Sequence, residues 1–451
     1  MRRKNSTIRL LFLPDSTVTS LRDRFTKLRK NDKIKLVIWR RSLKGVSQMD
    51  PKSIGNNILK LRKTNGWTQA YLAERLGITD KAVSRWESGQ GYPDIELIPR
   101  LAELFCVTID RLILGERKGI AIAGTILVDI VKNIAEYPRI GMLTHVSSQS
   151  IAVGGCVPNT AIDLAKIDSS LPVSAVAKVG SDENGKYLVS KLRKNGVDVS
   201  RITYSRELPT GCDDVMSCPD GERTFFLQRG ANDEFSPEDI DIDNLNCAIF
   251  HIGYIFLMQK FDAPDPEYGT VLARFLKKVQ EKGVKTSIDM VSDSAANYGE
   301  KVIPALKYCD YVIINEIECC TIWGIDPRNP DGSINLDNIR LAMEKTINAG
   351  VKDRVIVHAK EAGFMLDSEG DFTMVPSLKI PKELIKGSVG AGDAFCAGSL
   401  YGIYNGYNAE TLLRFASCAA ASNLFSENSI DGMLNKIEIE KLEERFGRRS
   451  I

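Results

Sequence analysis

Gly390-Ala391-Gly392-Asp393-Ala394-Phe395 opens a helical stretch that runs to about residue 404. Small residues ahead of a helix let backbone N–H groups approach an anion, and the helix N-terminus adds the positive end of a dipole. An aspartate set at that point can reach a hydroxyl while the N–H groups hold phosphoryl oxygens. Taken alone, the same six residues also read as a glycine-rich turn in which Asp393 merely caps a helix. The surrounding segments decide between the two.

Around this stretch, short apolar runs alternate with amphipathic ones through residues 116–451. Strands are expected at 120–123, 174–179, 248–252, 286–289, 311–314 and 354–357. Helical patterns lie between them at 186–193, 271–282, 336–348 and 410–425. The alternation defines an α/β domain with a mainly parallel sheet and helices on both faces. Ligands on such sheets bind beyond the carboxyl ends of the strands. Residues 147–153 and 213–229 break the alternation. The second of these carries Pro219-Asp220-Gly221, a hairpin-type turn, so the pair is expected to form a small β lid over a site.

Three further segments accompany the first. Gly154-Gly155-Cys156-Val157-Pro158-Asn159 precedes a helix, Gly180-Ser181-Asp182-Glu183-Asn184-Gly185 follows a strand, and Asn315-Glu316-Ile317-Glu318 lies at a strand's carboxyl end. In this order and spacing they resemble the ribokinase-like (PfkB) carbohydrate kinases, over essentially all of 116–451. The resemblance implies ATP as phosphoryl donor and a sugar as acceptor. It makes Asp393 the catalytic base and Gly390, Ala391 and Gly392 the anion hole. It makes Asn315 and Glu318 the pair that positions Mg2+, largely through water. Asp129, in Gly124-x-x-x-x-Asp129, and Gly154, Gly155 and Asn159 become the sugar-binding residues. Plainer roles stand beside these: Asn159 as a helix cap, Glu318 as a solvated helix-start carboxylate, Asp129 as a turn cap. Asp182 and Gly185 are read as structural turn residues.

Two departures from the family pattern stand out. Gly387-Ser388-Val389 replaces the usual Asp-Thr-Thr, and the missing aspartate belongs, by resemblance, to a monovalent-cation site, so potassium activation is in doubt. The nucleotide-side segment reads His358-Ala359-Lys360-Glu361-Ala362-Gly363, where only Gly363 keeps the family's cofactor-binding pattern.

Residues 49–115 are a different kind of module. Ile54, Ile58 and Leu61 fall on one helix face, and Gly66 ends that helix. Thr68 caps a second helix with Leu72, Ala73 and Leu76 inward, closed by Gly77. Thr79 caps a third, in which Val83 and Trp86 face inward while Lys81, Ser84, Arg85 and Glu87 are expected outside. A turn at Gly89, Gly91 and Pro93 leads to a further amphipathic helix through Leu97, Leu101 and Leu104. Two short helices joined by a tight turn are a helix-turn-helix arrangement. The run TQAYLAERLGITDKAVSRWESGQGYPD (68–94) resembles the Cro/phage-repressor (XRE-type) domains. That resemblance puts Gln69 on a DNA phosphate and Asp80, Lys81, Ser84 and Arg85 on the exposed recognition helix. A dimer on two half-sites of double-stranded DNA is the expected binding form.

The chain is 451 residues long with a formal net charge of +2. Residues 1–48 hold 14 Lys/Arg against 3 Asp/Glu, a net +11, whereas 49–115 carry +1 and 116–451 carry −10. Charge alone therefore gives no case for nucleic-acid binding by the large domain. The basic segment 1–48 has no sustained periodicity. It is expected to be either a disordered arm or an upstream extension that is not translated, because Lys44-Gly45-Val46 can be encoded by a ribosome-binding sequence ahead of Met49. No apolar run is long enough to span a membrane. Ten cysteines without a C-x-x-C, and only three histidines, argue against a zinc site or a disulfide framework and for a reducing cytoplasm. The combined expectation is an ATP-dependent sugar kinase, a homodimer, carrying its own DNA-binding module. The alternative is a transcription regulator whose kinase-like domain serves as a sugar sensor.

Overall fold

The computed structural model describes residues 51–105, 107, 109–115, 118–218, 223–292 and 297–450. The basic segment 1–48 and the turn at Pro219-Asp220-Gly221 lie outside them. The chain divides between Pro93 and Asp94 into two compact units.

The first unit holds α1 (Pro51–Thr64), α2 (Gln69–Leu76) and α3 (Asp80–Glu87). The caps are those expected. Thr68 accepts from the Tyr71 N–H, Thr79 accepts from the Ala82 N–H, and Gly77 closes α2 in the left-handed region at φ 71°. Ile54, Ile58, Leu72, Leu76, Val83 and Trp86 form its core. Gly55 lets α1 cross α3 closely, since a Cβ there would sit 1.8 Å from the Trp86 carbonyl oxygen.

One expectation fails here. Glu87 is not on the solvent face but 8% exposed, gripped by Arg62 through Nε to Oε1 at 2.6 Å and Nη2 to Oε2 at 2.8 Å. The cause is helical geometry: 87 is four residues beyond Val83 and shares its inward side. A carboxylate there is tolerated because a planar guanidinium meets it bidentately.

In the second unit, α4 (Leu97–Leu104) and α5 (Ile109–Leu114) precede the sheet. Then follow β1 (Ile120–Gly124), β2 (Leu127–Ile134), β3 (Val146–Gly154), α6 (Cys156–Ile167), β4 (Val173–Gly180), α7 (Glu183–Lys194), β5 (Asp198–Ser205), β6 (Gly211–Ser217) and β7 (Arg223–Gln228). Next come β8 (Ile249–Ile255), β9 (Pro264–Asp265), β10 (Gly269–Thr270), α8 (Val271–Glu281), β11 (Lys285–Met290), α9 (Tyr298–Leu306), β12 (Tyr311–Asn315) and α10 (Glu316–Thr321). The chain ends with α11 (Leu336–Asn348), β13 (Arg354–His358), β14 (Ala362–Asp367), β15 (Phe372–Pro376), α12 (Ala391–Tyr404), α13 (Ala409–Asn423) and α14 (Lys436–Phe446).

The main sheet runs β15-β14-β13-β12-β11-β8-β1-β4-β5. The strands from β13 to β5 pair in parallel, and β14 and β15 close one edge antiparallel. Side-chain alternation splits the core. Ile120 and Ile122 face the layer of α6, α7, α12, α13 and α14, while Ala121 and Ala123 face that of α8, α9, α10 and α11. Strand β1 is buried throughout, as a central parallel strand covered on both faces must be. The two segments that break the alternation supply most of a second sheet, β3-β2-β6-β7. Pairing between β8 and β11 slips near their carboxyl ends: Ile288 pairs with Ile252 but Met290 with Ile255, so Gly253 and Tyr254 stand opposite the single residue Asp289. Such irregularities re-aim side chains and gather beside active sites.

Candidate active site

Asp393 lies in the first turn of α12 and is 5% exposed. Gly390 precedes the helix at φ 78°, and a Cβ there would come 2.5 Å from the Ser429 Cβ, so backbone conformation and space both demand glycine. The Ala391 N–H bonds Ser388 O and the Ala394 N–H bonds Gly390 O. The N–H groups of Gly392 and Asp393 remain at the open end of the helix, where no intrahelical acceptor exists.

Two side chains hold the Asp393 carboxylate. The Tyr254 hydroxyl donates to Oδ1 at 2.9 Å and Oδ2 at 2.8 Å. Asn159 Nδ2 donates to Oδ2 at 3.0 Å, and its own Oδ1 accepts from Ser429 Oγ at 2.7 Å. Burial pushes Asp393 up to about 6, against the pull of the Asn159 and Tyr254 hydrogen bonds. Asn159 is therefore not a cap, the position being taken by Gly155: it lies in the first turn of α6 and joins that helix to the carboxylate. Tyr254→Phe removes a donor that favours the charged form. The acid limb of kcat/KM should move up by about one pH unit. A profile coincident with that of the native protein would show that Tyr254 does not tune Asp393.

On the lid side, Asp129 sits mid-strand in β2, paired with Ala152 of β3 and Asp213 of β6. It is therefore not a turn cap. Gly154 is packed against it: a Cβ at 154 would fall 2.2 Å from Asp129 Oδ1. Gly155 takes φ 85° ahead of α6, with its α-carbon facing the Thr125 carbonyl. Gly154, Gly155, Asn159 and Asp393 are thus joined in one contiguous set, with Asp129 against Gly154.

Asn315 and Glu318 form a capping box at α10. The Asn315 side chain accepts from the Glu318 N–H at 2.8 Å, and Glu318 Oε2 accepts from the Asn315 N–H at 2.9 Å. Ser292 Oγ donates to Glu318 Oε1 at 2.8 Å and accepts from Asn315 Nδ2 at 3.0 Å. Glu318 is 4% exposed, which removes the solvated reading; burial pushes it up to about 7. Asp289, also buried, has its carboxyl raised by desolvation and by the charges of Glu318 and Asp393. An all-oxygen donor set of this kind suits Mg2+. Because the Asn315 and Glu318 oxygens are already engaged with each other and with Ser292, they fit an ion held through water.

Gly363 belongs to the core. It pairs with His358 across β13 and β14, and a Cβ there would meet the Phe395 ring at 3.1 Å. The His358 ring lies tilted against Phe395 with centroids 5.1 Å apart and close to Gly392; burial holds its imidazole down at about 4, so it is neutral. Glu361 is tied to Arg328 at 2.8 Å, and Arg328 also grips Glu316. In this segment, His358 and Glu361 are thus engaged with protein.

In the first unit, Asp80, Lys81, Ser84 and Arg85 are all exposed along α3. Gln69 is half-buried and donates Nε2 to Glu87 Oε2 at 2.7 Å. It is anchored by the Arg62–Glu87 pair rather than free at the helix start.

Sequence reasoning missed Tyr254, Ser429, Asp289 and Ser292. Tyr254 lies just past the strand expected at 248–252, beside the β8/β11 slip that places it opposite Asp289. Ser429 follows a helix and carries no motif.

A buried, hydrogen-bonded carboxylate thus stands at a helix N-terminus, at the carboxyl end of the parallel strands. Residues 118–436 match the pfkB family carbohydrate kinase model, and residues 58–112 match a helix-turn-helix model. The chain belongs to the pfkB family of carbohydrate kinases and carries a helix-turn-helix domain ahead of the kinase domain. Among curated relatives, ribokinase of Arabidopsis thaliana is 27% identical over 326 residues, covering 72% of this chain and 80% of the relative. The 5-dehydro-2-deoxygluconokinase of Shouchella clausii is 25% identical over 342 residues, covering 73% and 97%. The solved Arabidopsis thaliana ribokinase, complexed with ribose and ATP, shares the fold with a TM-score of 0.61 at 23% identity, over 72% of this chain and 98% of that one.

Proposed function

We propose that this carbohydrate kinase transfers the γ-phosphoryl group of ATP to a hydroxyl of a hexose, pentose or sugar acid, and that its helix-turn-helix unit binds a specific duplex as a homodimer. The observation that carries the first half is the buried Asp393, held by Tyr254 and Asn159 beside the open N–H groups of α12. With Asp393 near 6, the carboxylate is mostly ionised at neutral pH yet basic enough to accept a proton. The sugar hydroxyl, positioned by Asp129 and Asn159, gives its proton to Asp393 as its oxygen attacks the γ-phosphorus. ADP departs, and the N–H groups at Gly390–Asp393 hold the charge developing on the transferred group. Asn315 and Glu318 would hold Mg2+ through water, and the ion would neutralise phosphate charge when bound. The lid sheet excludes water from the transfer.

Exposed Asp80, Lys81, Ser84 and Arg85 on α3 support major-groove reading, with Gln69 at the backbone. Homodimerisation follows from the need for two half-sites. Among the described residues no helix is long and apolar enough to cross a membrane. No disulfide joins the nine described cysteines, in keeping with a cytoplasmic site of action.

The replacement of Asp-Thr-Thr by Gly387-Ser388-Val389 favours one rival reading, a sugar sensor that regulates transcription without turnover. Steady-state phosphorylation with ATP, Mg2+ and a panel of sugars separates the two. Turnover with at least one sugar is expected. Silence with every sugar, together with sugar-dependent operator binding, would establish the sensor instead. Sedimentation of the free chain and of its duplex complex checks the dimer.

A further inference from the structure

The spacing of cysteine and histidine along the chain gave no hint of a soft-metal site, yet the fold brings three such donors together. Among the described residues, His251, Asp289 and Cys396 form a group whose potential ligand atoms all lie within 4.8 Å of one another. They come from three separate elements: β8, the end of β11, and α12 one turn beyond Asp393. His251 is fully buried, Cys396 is 1% exposed and Asp289 8%. The donors converge because His251 and Ser287 are register partners and Asp289 follows Ser287 by two residues, on the same side of the sheet, facing α12.

We propose that His251, Asp289 and Cys396 bind one soft divalent cation of the zinc class, as a structural ion that joins β8, β11 and α12 beneath the catalytic base. The donor set is one nitrogen, one sulfur and one oxygen, the mixture that borderline-soft ions take. Cys396 Sγ stands 3.7 Å from His251 Nε2, close to the roughly 3.5 Å that tetrahedral ligands at zinc bond lengths require. The other ring nitrogen is already placed for the task. His251 Nδ1 lies 3.0 Å from Ser287 Oγ, so an Nδ1–H donated to that hydroxyl leaves the Nε2 lone pair pointing at Cys396. The cluster also lies among the carboxyl groups of Asp289, Glu318 and Asp393, and the groups that perturb Asp289 and Cys396 include no lysine or arginine. Binding displaces the Cys396 thiol proton to solvent and leaves a thiolate on the ion. The site uses different donors from the water-held Mg2+ position proposed at Asn315 and Glu318, which neighbours it through Asp289, and does not depend on the kinase reading.

The full chain, stripped with chelator and dialysed, is titrated with Co2+ alone as an optical probe and then with Zn2+. One Co2+ per chain should bind with a thiolate-to-metal absorption band, Zn2+ should displace it, and Zn2+ should raise Tm by several degrees. Cys396→Ser should lose the band and the Tm response. Ser287→Ala, which keeps all three donors, should weaken binding about 10- to 100-fold. If Cys396→Ser does not fold, His251→Gln should lose tight binding while retaining the thiol. Absence of the band in the native chain overturns the proposal. So does an unchanged band in Cys396→Ser, which would place the metal on other cysteines, or unchanged affinity in His251→Gln, which would remove the histidine from the ligand set.

Discussion

Asp393→Asn should lower kcat by about 10³-fold, within the range that a positioned general base supplies, while sugar affinity and duplex binding stay near native values. The amide keeps the shape of the carboxylate and can still accept from Tyr254, so the substrate-facing surface changes little. What it loses is basicity. The proton of the attacking hydroxyl then has no acceptor at the moment of transfer, whereas the N–H groups of the α12 N-terminus and the bound nucleotide are untouched. The loss should therefore fall on kcat, with sugar Kd by calorimetry preserved. In the native protein, activity should decline as pH falls through about 6, where Asp393 takes up its proton. The Asn variant should show no such limb.

Stability gives an independent check with the opposite sign. The Asp393 carboxyl binds its proton more tightly folded than unfolded, so between about 6 and the ordinary carboxylate range the native state holds more protons. Stability from this group falls as pH rises through that window. The buried charge is thus a cost to the fold at pH 8, retained for chemistry. Asp393→Asn should melt no lower than the native protein at that pH. A variant that turns over at the native rate would remove Asp393 from its role, and one that loses activity only by unfolding would show as a large drop in Tm.

The sequence made the sheet legible because its central strands are buried on both faces and read as continuous apolar runs. Strand β1 at Ile120–Gly124 and β12 at Tyr311–Asn315 are of this kind. Glycines were legible where two demands coincide, as at Gly390, whose positive φ and contact with Ser429 both exclude a side chain. Strand β2 was not legible: only two residues separate it from β1, and its burial does not alternate. The antiparallel edge of β14 and β15 was equally hidden, because apolar periodicity does not report strand direction. At the site, residues that bear a motif were found, and residues aimed by tertiary structure were not. Tyr254 reaches Asp393 only because two residues of β8 oppose one of β11. Glu87 was misplaced because its charge outweighed its helical position, and charge is a poor guide where a buried arginine waits opposite.

That buried pair supports the second large prediction. Glu87→Ala should destabilise the first unit by about 3–5 kcal/mol, the usual cost of leaving a buried charge without its partner. Arg62 would keep only the Trp67 carbonyl, which its Nη1 reaches at 2.6 Å, and Gln69 would lose the carboxylate that holds its amide. A helical unit this small has little stability to spare, typically near the low end of the range for folded domains. Its α2–α3 arrangement should melt first, and with it the placement of Asp80, Lys81, Ser84 and Arg85. Affinity for a duplex selected by the native protein, read by fluorescence anisotropy, should therefore collapse while phosphoryl transfer continues at the native rate. The paired replacement Arg62→Met with Glu87→Leu separates scaffold from contact: apolar residues of similar bulk often match or exceed a buried ion pair in stability. If that double variant folds and binds the duplex, the pair serves only to hold the unit together. If it folds without binding, the Glu87 carboxylate is needed to aim Gln69 at the phosphate backbone. Native duplex affinity in Glu87→Ala would refute the structural role of the pair, and a parallel loss of kinase turnover would refute the independence of the two units.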